Sequence, residues 1–121
     1  MNESILIVES ANMPKNSEVI FERLMAMLET TGRVKDRECV EADVKARDWA
    51  TGSVMQSEVV FHHAKTDGVS GFCAAVIMYP GDVVHGVFAW PENSDDNLQR
   101  IVTVFEQINK LQLKRAGVKA A

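Results

Sequence analysis

The sequence predicts an α/β fold in which a mixed sheet and helices form a sandwich. An apolar run of strand length opens the chain at residues 4–9, and two amphipathic helical segments follow it. The second half holds three strand patterns and then a last amphipathic helix, an order typical of a mixed α/β sandwich. A chain of 121 residues has room for one core, so we expect one domain over residues 1–121 with a loose tail at 116–121.

Composition excludes several classes of protein. Hydrophobic residues at 46% and charged residues at 25% exclude a disordered or collagen-like chain. A net charge of −4 disfavours nucleic-acid binding, which normally needs a basic face. Cys39 and Cys73 are too few and too far apart for a disulfide framework, so we expect free thiols in a reducing compartment. The short N-terminal apolar run lacks basic residues, which predicts no signal peptide, no membrane insertion and a cytoplasmic location.

Capping residues delimit the first two helices. Asn16 is a suitable N-cap for a helix that runs to about residue 30, and Gly32 is suited to the position just after its end. Asp36 is the expected cap of the second helix, which runs to about residue 49 with Val40 and Val44 inward. Residues 51–57 are small and polar and predict a loop. The apolar stripe of the first helix has helical spacing and consists of Ile20, Phe21, Leu24, Met27 and Leu28.

Three strands are expected next. Residues 58–63 are rich in valine and phenylalanine, and residues 72–79 are almost uninterruptedly apolar, as in a strand covered on both faces. Pro80 and Gly81 suit the central positions of a type II turn, which predicts residues 83–90 as the hairpin partner. Ser94 is the expected cap of the last helix, with two aspartates in its first turn. The predicted buried stripe of that helix is Leu98, Ile101, Val102, Phe105 and Ile108.

The three histidines are the first candidates for chemistry. Neighbouring residues on a strand point to opposite faces, so His62 and His63 cannot share one pocket. No further ligands stand at metal-binding spacing, and no glycine-rich phosphate loop or nucleophile elbow is present. His85 lies in an apolar run, which favours a buried neutral imidazole. A histidine at a strand end, followed by polar Lys65, is either structural or functional, because strand ends deliver side chains to functional loops.

Residues 61–67, Phe-His-His-Ala-Lys-Thr-Asp, resemble the active-site strand of enzyme IIA domains of the fructose/mannitol class in the bacterial phosphoenolpyruvate-dependent sugar phosphotransferase system. The resemblance covers residues 4–110 and implies an enzyme IIA-like mixed sheet with helices on both faces. Four further landmarks occur in the family's order: Thr31-Gly32-Arg33-Val34, Ala46-Arg47-Asp48, Ala89-Trp90-Pro91-Glu92 and Asn97-Leu98.

The resemblance implies a site made of His63, Arg47 and Asn97. His63 is the implied phosphoryl acceptor and Arg47 a neighbour of the phosphorylated ring, where a guanidinium fork suits two phosphoryl oxygens. Asn97 falls in the first turn of the last helix, whose N–H groups favour anions. The implied partners are the carrier HPr and an enzyme IIB-type protein, with no metal or organic cofactor.

The chain also departs from the family's pattern. His62 replaces a proline before the active histidine, and Asn97 replaces a second histidine. The segment between residues 79 and 83 is shorter than usual, and the chain ends where the family adds another helix, which together indicate a shortened, divergent member. The alternatives are a regulatory or interaction module that has lost turnover, and an unrelated α/β domain. Because the missing helix would uncover part of the sheet, we expect a partner chain, such as a homodimer mate, to cover it.

Overall fold

The computed structural model describes residues 4–12, 14–51, 54–56, 59–93 and 97–115. The strands form one mixed sheet in the order β1-β4-β5-β3-β2. This confirms the predicted α/β class and the predicted helices on both faces, because α1 and α2 cover one face and α3 the other. The elements are β1 (Ile5–Glu9), α1 (Ser17–Thr30), α2 (Arg37–Thr51), β2 (Val54–Gln56), β3 (Val59–Lys65), β4 (Cys73–Tyr79), β5 (Val83–Trp90) and α3 (Asn97–Arg115).

The pairing of β3, β4 and β5 positions the candidate site. β4 and β5 form the predicted antiparallel hairpin. Its connection is a 3₁₀ turn at Pro80–Asp82 instead of the predicted type II turn, because Pro80 has helical backbone angles and Gly81 departs from them with φ 77° and ψ 23°. β3 and β5 are parallel, with Lys65 opposite Trp90. The carboxyl ends of β3 and β5 therefore lie at the same edge of the sheet.

The predicted N-caps of α1 and α2 and the predicted glycine after α1 are confirmed. The backbone N–H of Glu18 donates to Oδ1 of Asn16 at 2.7 Å, and Gly32 follows the end of α1 with φ 79°. The backbone N–H of Cys39 donates to Oδ1 of Asp36 at 3.2 Å. The second helix ends two residues later than expected, at Thr51.

Arg37 links the two helices. Its guanidinium makes ion pairs of 2.6 Å with Glu22, 2.7 Å with Glu29 and 2.7 Å with Glu41. Glu22 and Glu29 belong to α1, whereas Arg37 and Glu41 belong to the first two turns of α2. This network fixes the outer surfaces of the two helices relative to each other.

The sheet separates two halves of the core, and every residue of β4 is buried between them, as predicted for a strand covered on both faces. Burial raises the pKa of the Cys73 thiol to about 12, so this free cysteine stays protonated and packs as a small hydrophobe. On the α1 and α2 side the core contains Leu24, Leu28, Val40, Val44 and Val87; on the α3 side it contains Phe61, Phe88, Trp90, Val104 and Ile108.

Two predictions about secondary structure and burial were wrong. The expected loop at residues 51–57 contains the strand β2, which pairs antiparallel with the start of β3. The buried stripe of α3 is rotated: Val104 and Ile108 are buried, while Val102 is 46% exposed and Phe105 40% exposed. The strand β2 has only three residues, too few for an alternating pattern. In α3 the buried residues follow Ile101 and Ile108 at helical spacing through Val104, and Val102 does not.

Several expectations lie outside the described residues. They include the Ser94 cap with its two aspartates and the loose tail at 116–121. Among the described residues, no helix combines the length and apolarity needed to cross a membrane.

Candidate functional site

His63 lies near the carboxyl end of β3, on the face of the sheet that α3 covers. Phe61, two residues earlier on the same face, belongs to the α3 side of the core, while Ala64 belongs to the α1 and α2 side. The His63 side chain is half-buried. The alternation of the strand thus places one imidazole beside α3 and leaves it partly open to solvent.

His62 points to the opposite face, as the strand pattern predicts. Its ring meets the Phe21 ring of α1 edge-on, with centroids 5.9 Å apart. It lines a cleft of about 400 Å³ between α1 and α2, together with Lys45 and the carboxylate-bearing residues Glu18 and Glu41. The two adjacent histidines therefore occupy separate environments.

Trp90 is an aromatic neighbour of His63. Its indole lies within 5° of parallel to the imidazole, with ring centroids 6.1 Å apart. On the neighbouring chain segment, Phe72 lies within 12° of parallel to the indole at 6.2 Å. The guanidinium carbon of Arg100, in the first turn of α3, lies 5.9 Å from the Phe72 centroid. These rings of His63, Trp90 and Phe72 form an aromatic row across β3, β5 and the start of β4.

Arg47 belongs to a helix on the other face of the sheet. It is an exposed residue of α2, the helix that packs through Val40 and Val44 on the face opposite His63. β2 pairs with β3 only up to Phe61, so among the described strands nothing flanks the outer edge of β3 at His63. The contact of Arg47 with the acceptor ring stays a prediction.

Asn97 is the first residue of α3, and its side chain lies outside the described part. α3 begins seven residues after Trp90, the last residue of β5, and packs on the His63 face through Val104 and Ile108. The start of the helix consequently follows the carboxyl end of the strand beside His63. The proposed role of the Asn97 amide also stays a prediction.

An acidic pair that the sequence did not reveal lies at the end of the sheet where β3 and β5 finish. A hydrogen bond with Asp67, and the charge of that carboxylate, raise the pKa of Glu92. Asp43 of α2 acts in the same direction, and Lys65 opposes it. Asp67 follows β3 and Glu92 follows β5, so the parallel ends of these strands bring the two carboxyl groups together. This end of the sheet therefore holds two carboxyl groups that interact with each other, beside Lys65.

His85 lies on the face of His62. It is half-buried rather than fully buried, and its ring meets Tyr79 edge-on at 5.8 Å. Burial, and to a lesser degree the proximity of His62, lower the pKa of His85. The imidazole therefore stays neutral at pH 7, as expected from its apolar strand. Among the described residues, no three His, Cys, Asp or Glu side chains are arranged to hold a metal ion.

Sequence patterns missed both the aromatic row and the acidic pair. Trp90 is largely buried, and its position beside His63 depends on the β3–β5 pairing. A strand-terminal tryptophan carries no local signal for this pairing. The only available sign was that Trp90 and His63 each lie near the end of a predicted strand.

Comparison with known proteins supports the architecture. No protein-family model matches the chain, and no curated protein matches it significantly. The crystal structure of the nitrogen regulatory protein IIA-Ntr from Neisseria meningitidis is similar, with a TM-score of 0.55 and 15% sequence identity. The alignment covers 98% of this chain and 87% of that protein. The chain therefore has an enzyme IIA-like α/β fold.

Proposed function

We propose that this protein is a phosphocarrier domain related to the fructose/mannitol class of enzyme IIA, with His63 as the phosphoryl acceptor. The observation that carries the proposal is the half-exposed His63 ring near the end of β3, on the face of α3, in a chain with the fold of a IIA-Ntr protein. A neutral imidazole nitrogen is nucleophilic near pH 7. The acceptor therefore needs no metal or organic cofactor.

The proposed reaction moves a phosphoryl group between two histidines. The ring nitrogen of His63 that bears the lone pair attacks phosphorus in the phosphohistidine of HPr. A new N–P bond forms as the N–P bond of the donor breaks, and its electron pair returns to the donor ring. Each ring keeps the proton on its other nitrogen. Charge spreads over the three equatorial oxygens in the transition state, so Arg47, Asn97 and the first N–H groups of α3 are the proposed stabilising groups.

The proposed partners are HPr as donor and an enzyme IIB-type protein as acceptor, in sugar uptake or its regulation. The net charge of −4 favours approach of a basic partner surface. We place this exchange in the cytoplasm, where the two free cysteines stay reduced. Association of two copies stays a further prediction, checked by light scattering at high concentration.

Phosphorylation by a reconstituted carrier chain tests the proposal. Incubation with phosphoenolpyruvate, enzyme I and HPr should add one acid-labile, base-stable phosphoryl group, detected by mass spectrometry. His63→Ala should abolish this addition. His62→Ala is the matched control, because His62 is the adjacent residue on the opposite face, and it should retain the addition. Absence of phosphorylation in the unmodified protein would refute the phosphocarrier role.

A regulatory or interaction module without turnover is the second candidate. Asn97, at the place of the family's second histidine, donates hydrogen bonds but cannot carry a proton at neutral pH. The similar structure is also named as a regulatory protein. A stable complex with a kinase, transporter or transcription factor that forms without phosphoryl transfer, and equally well with His63→Ala, would favour this candidate over the first.

A further inference from the structure

Trp90 has the geometry of a group that orients the His63 ring. Parallel rings with centroids 6.1 Å apart lie within the range of offset aromatic stacking. Rotation of an imidazole about its Cβ–Cγ bond is broad when nothing restrains it. An indole plane beside the ring favours the rotamers that keep the two planes parallel. The orientation of His63 is therefore coupled to the position of Trp90.

Trp90 is itself held in place. It is only 8% exposed, and Phe72 lies nearly parallel to it across the β4–β5 hairpin. Phe72 in turn lies under the Arg100 guanidinium of α3. The β4–β5 register puts Phe72 on the β4 side of Trp90, whereas His63 lies on the β3 side. The indole therefore packs between Phe72 and His63, and this packing restricts its movement relative to the imidazole.

The buried indole N–H supplies a second observation. Within the described part of the chain, Nε1 of Trp90 is buried and has no hydrogen-bond acceptor. An unsatisfied buried donor lowers stability, and phenylalanine would fill most of the space without it. Trp90→Phe should therefore fold well while keeping a flat ring beside His63. Trp90→Phe is therefore the matched control for Trp90→Leu, which replaces the flat ring with a flexible, non-planar side chain.

We infer that Trp90 is a positioning residue for phosphoryl transfer at His63. The inference rests on the proposed function, because it takes His63 as the acceptor. The attacking lone pair lies in the plane of the imidazole, so restraint of that plane restrains the direction of attack. In-line transfer needs this direction to point at phosphorus, and small errors of orientation cost large factors in rate.

Transfer from a small donor isolates this effect from protein docking. With potassium phosphoramidate as the donor, Trp90→Leu should lower the maximal rate of His63 phosphorylation roughly tenfold, with little change in the donor concentration needed for half-maximal rate. Trp90→Phe should stay within about twofold of the unmodified protein. Phe105→Leu changes an aromatic residue of the same layer whose ring contacts Phe61 and Phe88, and it should transfer at the normal rate. Equal maximal rates for the leucine and phenylalanine variants of Trp90 would overturn the inference.

Fluorescence tests the coupling without any phosphoryl transfer. Trp49→Phe leaves Trp90 as the single tryptophan, because the sequence contains only two. Protonation of His63 on acid titration should quench the Trp90 emission, and His63→Ala should remove that quenching, whereas His62→Ala should keep it. An emission that is insensitive to His63 would overturn the coupling. Failure of HPr to phosphorylate a protein with intact coupling would count against the proposed function alone.

Discussion

Gly86→Ala should destabilise the fold by crowding Phe61. Gly86 lies in β5 opposite Phe61, and an added Cβ would contact Cε1 of the ring, lie 2.6 Å from its Cδ1 and 3.2 Å from the carbonyl oxygen of Ala75. The Phe61 ring would have to move by about 1 Å to reach an ordinary carbon–carbon separation. It has little room, because it stacks on Phe88 at 4.8 Å and meets Phe105 edge-on at 4.9 Å.

The expected magnitude follows from two opposing effects. Overpacking of a filled core costs about 1–3 kcal/mol. Alanine reduces the conformational freedom of the unfolded chain, which raises the free energy of unfolding by about 0.4–1 kcal/mol. The net loss should be about 1–2 kcal/mol, equivalent to a fall in melting temperature of roughly 4–8 °C.

Urea denaturation of a double-mutant cycle checks this reasoning. Phe61→Leu makes room for the new methyl group, so the double variant should lose at least about 0.5 kcal/mol less than the sum of the single losses. Gly71→Ala is the matched control, because its added Cβ meets only the flexible end of Arg33, and it should change stability by less than about 0.5 kcal/mol. A Gly86→Ala protein of unchanged stability, or strict additivity with Phe61→Leu, would refute the packing argument.

Three further outcomes are expected. Gly68→Ala should lower the free energy of unfolding by about 2–3 kcal/mol in urea denaturation. The added Cβ would lie 2.7 Å from the carbonyl oxygen of Asp36, and a backbone atom cannot move aside as a side chain can. A smaller loss than that of Gly86→Ala would contradict this expectation. Arg37→Gln should cost only about 0.5–1 kcal/mol, since its three ion pairs are partly exposed, and the loss should shrink at high salt. Because folding lowers the pKa of His85, the unfolded chain binds its proton more readily, so stability should fall as pH drops through the ordinary histidine range near 6.5. His85→Gln should reduce this slope in pH-dependent thermal denaturation, and an unchanged slope would assign the effect to other groups.

The candidate site could be predicted only in part. Alternation along a strand was enough to separate His62 from His63. The end of a strand left a structural and a functional role open for the histidine there, and only the resemblance to enzyme IIA domains singled out His63. Whether Arg47 and Asn97 meet that ring depends on side-chain positions across an open strand edge and a helix start, and both contacts remain predictions. The Asp67–Glu92 pair escaped prediction because the two residues follow different strands and meet only when those strands lie parallel.

The sequence by itself determined the local structure whose causes are local. Asn16 and Asp36 cap their helices with their own side chains, and Gly32 takes a backbone conformation that few other residues adopt. The apolar run of β4 has strand length and suits a strand that is buried on both faces. The buried stripe of α3 follows helical spacing, because Ile101, Val104, Ile108 and Leu111 are three or four residues apart. The prediction of Val102 departed from that spacing, and Val102 is exposed. Tertiary structure alone decided the strand order and the short strand β2. The same long-range pairing places Trp90 beside His63, because contacts between distant residues arise from strand register and not from any local preference.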